Sequence, residues 1–127
     1  MSDLPLVLIV DDSDRNRKLA RDLLQESGFR TIEAATGGEG IALASEHLPD
    51  VVLMDLRLPD LDGVEAARRL RAEPRTSRIQ IIAVTALSLD ADDAWLADAG
   101  FDGYIVKPID VETFPDVIRR FCARPGE

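Results

Sequence analysis

Leu6-Val7-Leu8-Ile9-Val10-Asp11-Asp12 is an unbroken apolar run of strand length that stops at two carboxylates. A run of this kind, with no alternation, suits a strand covered on both faces of a sheet. Working outward, comparable runs recur at residues 51–54, 79–84 and 104–106, with a weaker candidate over 29–34. The segments between them carry helical spacing. The first opens at Ser13 or Asp14, whose side-chain oxygens can cap free amides, carries Leu19, Ala20, Leu23 and Leu24, and stops at Gly28. A second places Ile41, Ala44 and Leu48 on one face and ends before Pro49. A third runs from about Asp62 through Val64, Ala67 and Leu70 to Pro74, and a fourth lies between Asp90 and Gly100. The last shows Phe114, Val117, Ile118 and Phe121 at i, i+3, i+4 and i+7. Pro115 falls inside that pattern, so this helix is expected to begin near Thr113 to Pro115, with the proline in its first turn, or to be distorted there.

Five buried strands alternating with five helices predict an α/β fold: a doubly wound, five-stranded parallel sheet with helices on both faces. The 127 residues fit a single domain. Hydrophobic residues make up 46% of them, enough for a core, and charged residues 31%, which gives a solvated surface. With 24 acidic against 15 basic side chains the formal charge is −9, which opposes direct binding to nucleic acid or to anionic membranes. Cys122 is the only cysteine, so no intrachain disulfide forms. No signal peptide or membrane span is legible, and the expected location is cytoplasmic.

In a doubly wound sheet, ligands sit beyond the carboxyl ends of the strands, so the residues following each apolar run are the informative ones. These are Asp11 and Asp12, then Asp55, then Thr85 and Ala86, then Lys107 and Pro108. Three carboxylates at one edge repel one another unless a cation is present, and a hard divalent ion such as Mg²⁺ suits oxygen ligands. A hydroxyl and an ammonium beside a metal-bound carboxylate make a cradle for a phosphoryl group. Blander readings stand beside this one. Asp11 and Asp12 can equally open a loop or cap the next helix, and Thr85 alone is an ordinary cap. Lys107 gains weight because the chain uses 13 Arg and only 2 Lys, and the other, Lys18, reads as solvated helix surface. Gly37, Gly38 and Gly40 have the composition of a phosphate-binding loop but lack its pattern, and read as a turn into the second helix. His47 reads as a helix-end residue and Cys122 as a small apolar side chain.

The ordered set Val7-Leu8-Ile9-Val10-Asp11-Asp12, Val52-Leu53-Met54-Asp55-Leu56-Arg57-Leu58-Pro59-Asp60-Leu61-Asp62-Gly63, Val84-Thr85-Ala86 and Gly103-Tyr104-Ile105-Val106-Lys107-Pro108 resembles the receiver domain of two-component response regulators. The likeness covers residues 6–122. It is nearest in look to single-domain regulators of the DivK-like type, on the short ends and Asn16, with the chemotaxis CheY-like group as a neighbour.

The resemblance implies a flavodoxin-like or CheY-like strand order, 2-1-3-4-5. It implies Asp55 as phosphoacceptor from the phosphohistidine of a sensor histidine kinase or phosphotransfer protein. Asp11, Asp12, Asp55 and the Arg57 backbone carbonyl would bind Mg²⁺, Asp11 largely through water. Thr85 and Lys107 would contact the phosphoryl oxygens, and the Lys107-Pro108 peptide would be cis. Tyr104 would be the switch aromatic that moves with Thr85 and alters the face of the fourth helix, fifth strand and fifth helix for a downstream protein target. Trp95 on the fourth helix is either part of that face or ordinary packing. Arg57 and Leu87 would flank the path of hydrolytic water. The state would be a monomer or a phosphorylation-linked dimer, and the role that of a signalling phosphoacceptor rather than an enzyme.

Alternatives share the architecture. A receiver cut from a hybrid histidine kinase or a multidomain regulator would read the same way. An aspartyl-phosphate phosphatase would want a second acid two residues after its nucleophile, where this chain has Arg57. A flavin-binding electron carrier would be yellow when purified.

Overall fold

The computed structural model describes residues 4–85, 94–107 and 109–123. Its elements alternate strictly: β1 (Leu6–Val10), α1 (Asp14–Glu26), β2 (Arg30–Ala34), α2 (Gly37–His47), β3 (Val51–Asp55), α3 (Gly63–Ala72), β4 (Gln80–Thr85), α4 (Ala94–Ala99), β5 (Gly103–Val106) and α5 (Phe114–Ala123). All strand pairs are parallel and the order is β2-β1-β3-β4-β5. The expected architecture and strand order are therefore both present. Ala86, Leu87, Pro108 with its peptide bond, and the side chain of Trp95 lie outside the described residues.

The period of two along each strand divides the core. Leu8, Val10, Val52, Met54, Ile81 and Ala83 face one layer, which contains Ala44 of α2, Ala66, Ala67 and Leu70 of α3, and Ala99 of α4. Val7, Ile9, Val51, Leu53, Ile82 and Val84 face the other, with Ala20 and Leu24 of α1 and Phe114 and Ile118 of α5. β1 and β3 are buried at every position, which is why their sequences are continuously apolar. β2 and β5 are edge strands and only partly covered. The reading of five buried strands is thus revised at the two edges, where Tyr104 and Val106 are exposed and Ile105 packs inward.

Local signals set the helix ends. Ser13, Thr36 and Asp62 accept hydrogen bonds from the amides of Asn16, Glu39 and Glu65, capping α1, α2 and α3. Two apolar residues depart from their expected places. Leu19 is exposed because α1 turns Ala20 and Leu24 to the sheet. Leu48 is not on the inner face of α2 but is its C-cap, exposed and left-handed at φ 50°. Pro49 disfavours right-handed helix at the residue before it, so the turn is made there. α5 starts at Phe114, after a turn in which the Phe114 amide donates to the Asp110 carbonyl. Pro115 accordingly sits in the first turn, where its missing amide costs nothing.

Cys122 packs against the α1/α5 layer, and loss of hydration on burial, with Asp50 nearby, pushes its thiol up to about 11. Since the thiolate is the nucleophile, alkylation by iodoacetamide at pH 8 is expected to run about 100-fold slower in the native protein than in urea. Equal rates in the two conditions would contradict the burial.

Candidate functional site

The carboxyl ends of β1, β3, β4 and β5 converge because every strand runs the same way. Asp55 is the last residue of β3 and Thr85 the last of β4, and both are buried. Asp11 follows β1 directly and is also buried, whereas Asp12 is exposed. The Asp11 amide donates to the Ala34 carbonyl at 3.0 Å, its Oδ1 accepts from the Ser13 amide at 2.9 Å, and its own carbonyl accepts from the Arg17 guanidinium. Asp55 is held through both oxygens: Oδ1 accepts from the Arg57 amide at 2.9 Å, and Oδ2 accepts from Lys107 Nζ at 2.9 Å. Lys107 Nζ also lies 3.3 Å from Asp11 Oδ2, and the Lys107 amide donates to the Thr85 carbonyl at 2.7 Å. One ammonium therefore bridges two of the carboxylates across 52 residues of sequence from Asp55.

Burial pulls the Lys107 ammonium down, but the hydrogen bond to Asp55 and the charges of Asp11 and Asp55 outweigh it. The net shift is upward, so the side chain stays charged at neutral pH. Asp11, Asp12 and Asp55 each offer a carboxylate oxygen within 4.8 Å of the others, a spacing that fits one hard cation. At an effective dielectric near 20, unit charges at such distances interact by about 4 kcal/mol. Three carboxylates against one ammonium leave a formal excess of two negative charges, which a divalent ion would balance.

The structure brings Asp11, Asp12, Asp55, Thr85 and Lys107 to one edge, and the Arg57 backbone, two residues after Asp55, donates its amide to that carboxylate. Tyr104 stands apart, with its ring exposed on the edge strand. Lys18 pairs with Asp22 at 2.8 Å on the surface of α1, as its bland reading required. The roles of two residues, Arg17 and Asp60, were not legible in the sequence. Arg17 braces the Asp11 carbonyl and pairs with Asp14 and Glu33, which Arg21 also contacts. Asp60 accepts from the amides of Gly37 and Gly38, both at 2.8 Å. Hydrogen bonds to backbone groups leave no pattern of side-chain types, so no signal in the chain announced them.

A doubly wound sheet whose carboxyl edge gathers buried aspartates around one lysine is the arrangement of a signal-receiving domain. The chain belongs to the response regulator receiver domain family, whose pattern matches residues 7–119. It is 40% identical over 115 residues to the polar-differentiation response regulators DivK of Brucella ovis and Brucella melitensis, covering 91% of this chain and 94% of theirs. Among solved structures, the chemotaxis protein CheY4 of Vibrio cholerae superposes with a TM-score of 0.86 at 28% identity, over 93% of this chain and 98% of that one. The receiver domain of sensor histidine kinase PA1611 from Pseudomonas aeruginosa, solved with a magnesium ion in its active site cleft, gives 0.85 at 31% identity, over 95% and 99%. Receivers of this family are generally signalling rather than catalytic modules. No described helix is long and apolar enough to cross a membrane.

Proposed function

We propose that the chain is one receiver domain with its core at residues 6–122, and that Asp55 accepts a phosphoryl group from the phosphohistidine of a sensor histidine kinase or phosphotransfer protein. The observation that carries this is the hold on Asp55, whose two oxygens are aimed by the Arg57 amide and the Lys107 ammonium. A carboxylate oxygen of Asp55 attacks phosphorus, a P–O bond forms as the P–N bond breaks, and the imidazole departs with the bonding pair. Asp11, Asp12, Asp55 and the Arg57 carbonyl would hold Mg²⁺, which supplies charge neutralisation to the phosphoryl oxygens. Lys107 and Thr85 contribute an ammonium and a hydroxyl to the same oxygens. The magnesium in the active site cleft of the PA1611 receiver supports a divalent ion at this site.

The switch reading assigns Thr85 and Tyr104 to one face of the sheet. Tyr104 pairs in register with Ala83, two residues before Thr85, so the three side chains share one face of the sheet. Movement of the Thr85 hydroxyl toward a phosphoryl group would let the exposed ring turn inward and change the α4-β5-α5 face for a protein target. Likeness to the response regulator DivK along 94% of its length supports a regulatory role, which we assign to protein contacts made in the cytoplasm.

Incubation with Mg²⁺ and acetyl phosphate is expected to add one phosphoryl group by intact mass, and no gain would overturn the proposal. Lys107→Met keeps the length of the side chain but removes its charge. Phosphorylation is expected to slow about 100-fold, as for loss of one preorganised electrostatic contact. A stopped-flow or mass-based rate close to wild type would remove Lys107 from the reaction.

A further inference from the structure

Gly37 and Gly38 carry phosphate-loop composition, yet their amides are already occupied. The Gly37 amide donates to Asp60 Oδ1 and the Gly38 amide to Asp60 Oδ2, each at 2.8 Å. They are the first two residues of the 11-residue helix α2, where amides have no partner within the helix and the dipole favours an anion. These bonds, from Gly38 first and then Gly37, hold the Asp60 carboxyl below the ordinary carboxylate range. The approach is close: a Cβ on Gly37 would lie 2.9 Å from Leu61 Cγ, and one on Gly38 3.2 Å from Asp60 Oδ2.

Helix α2 has a side-chain cap besides this anion. Thr36 Oγ1 accepts from the Glu39 amide at 3.1 Å, and Glu39 Oε1 reaches back to the Ala35 amide at 2.9 Å, a side-chain cap that serves the third helical amide and leaves the first two, Gly37 and Gly38, to Asp60. A further gain falls on the other partner, the loop of residues 56–62 between Asp55 and α3. Its two ends are tied, by the Arg57 amide on Asp55 and by the Gly63 amide on the Leu56 carbonyl at 3.0 Å. Asp60 anchors its middle, three residues beyond Arg57. Ordering each loop residue costs about 1–2 kcal/mol of backbone entropy, so a tie made before the ion arrives spares that cost at binding.

We propose that the Asp60 carboxylate, seated on the Gly37 and Gly38 amides, is a positioning residue that holds the loop after Asp55 so that the Arg57 carbonyl faces the divalent ion. This rests on the metal-dependent reading of the site. Asp60 touches neither the ion nor the phosphoryl group and acts through the loop.

The test compares wild type, Asp60→Ala and Asp60→Asn. Free Mn²⁺ is counted by electron paramagnetic resonance during titration, and acetyl phosphate rates are measured across Mg²⁺ concentration. Asp60→Ala is expected to bind Mn²⁺ about tenfold more weakly, as for loss of a partner that orients a metal ligand. Its rate should fall by the same factor at limiting Mg²⁺ and recover at saturating Mg²⁺. Asp60→Asn, which keeps one acceptor oxygen, should fall between the two, and it decides the matter if Asp60→Ala does not fold. Affinities within about twofold of wild type for the folded variants, even with lower melting temperatures, would reduce Asp60 to a structural cap and overturn the proposal. A wild type that neither binds Mn²⁺ nor takes up phosphoryl would instead bring down the metal-dependent reading.

Discussion

Asp55→Asn is expected to take up no phosphoryl group under conditions where wild type gains one, measured by intact mass after incubation with acetyl phosphate and Mg²⁺. The amide is a poor nucleophile, while Asn keeps the shape and its one carbonyl oxygen can still accept from the Arg57 amide; its NH2 then stands where Asp55 Oδ2 accepts from Lys107 at 2.9 Å, so that bond alone is lost. Loss of uptake is therefore expected without loss of fold. The electrostatics sharpen this into a second readout. Asp55 faces two like charges, Asp11 and Asp12, and one opposite charge, Lys107. With no divalent ion present the like-charge terms, each about 4 kcal/mol at an effective dielectric near 20, outweigh the single pair. Lys107 retains Asp11 at 3.3 Å in the variant. The melting temperature of Asp55→Asn without Mg²⁺ should thus equal or exceed that of wild type, and added Mg²⁺ should raise it less than it raises wild type. Phosphoryl uptake by the variant equal to wild type would refute the acceptor assignment.

Gly63→Ala is expected to cost about 2–3 kcal/mol of stability, the upper part of the range for overpacking a well-filled site. A Cβ there would lie 2.5 Å from the Asp55 carbonyl oxygen and 2.9 Å from the Leu56 Cα, and both are backbone atoms that cannot swing aside. Either the start of α3 retreats, breaking the Gly63 amide to Leu56 carbonyl bond, or the Asp55-Leu56 peptide moves. Both routes disturb the acceptor, so phosphorylation should slow along with the loss of stability. The urea midpoint should fall at an unchanged m-value. A stability change below about 0.5 kcal/mol, the size of an ordinary surface substitution, would show that the close approach is not sustained in solution.

Legibility followed burial. β1, β3 and β4 were plain because strands covered on both faces must be apolar throughout, and Asp55 was plain because it ends such a run and is followed by Leu56 and Leu58 rather than by turn residues. The edge strand β2 was fainter, since its residues are mostly only half-buried and include Arg30, Thr31 and Glu33, and the switch role of Tyr104 on β5 came only through the family likeness. Leu48 misled because its apolar side chain matches the stripe of α2, while the backbone preference imposed by Pro49 decides its conformation. Asp60 and Arg17 gave no sign, because each works through backbone groups on a different element.

From the chain alone it followed that Asp11, Asp12, Asp55, Thr85 and Lys107 share one edge, since parallel strands joined by crossovers necessarily end on the same side. Which of them touch was decided only by the tertiary structure. The twist and register of β1, β3 and β5 bring Lys107 to 2.9 Å from Asp55 and 3.3 Å from Asp11, and pin the loop between β3 and α3 onto α2. Periodicity sets the face and the end of each element. Distances between elements depend on how the layers pack, to which every buried side chain contributes.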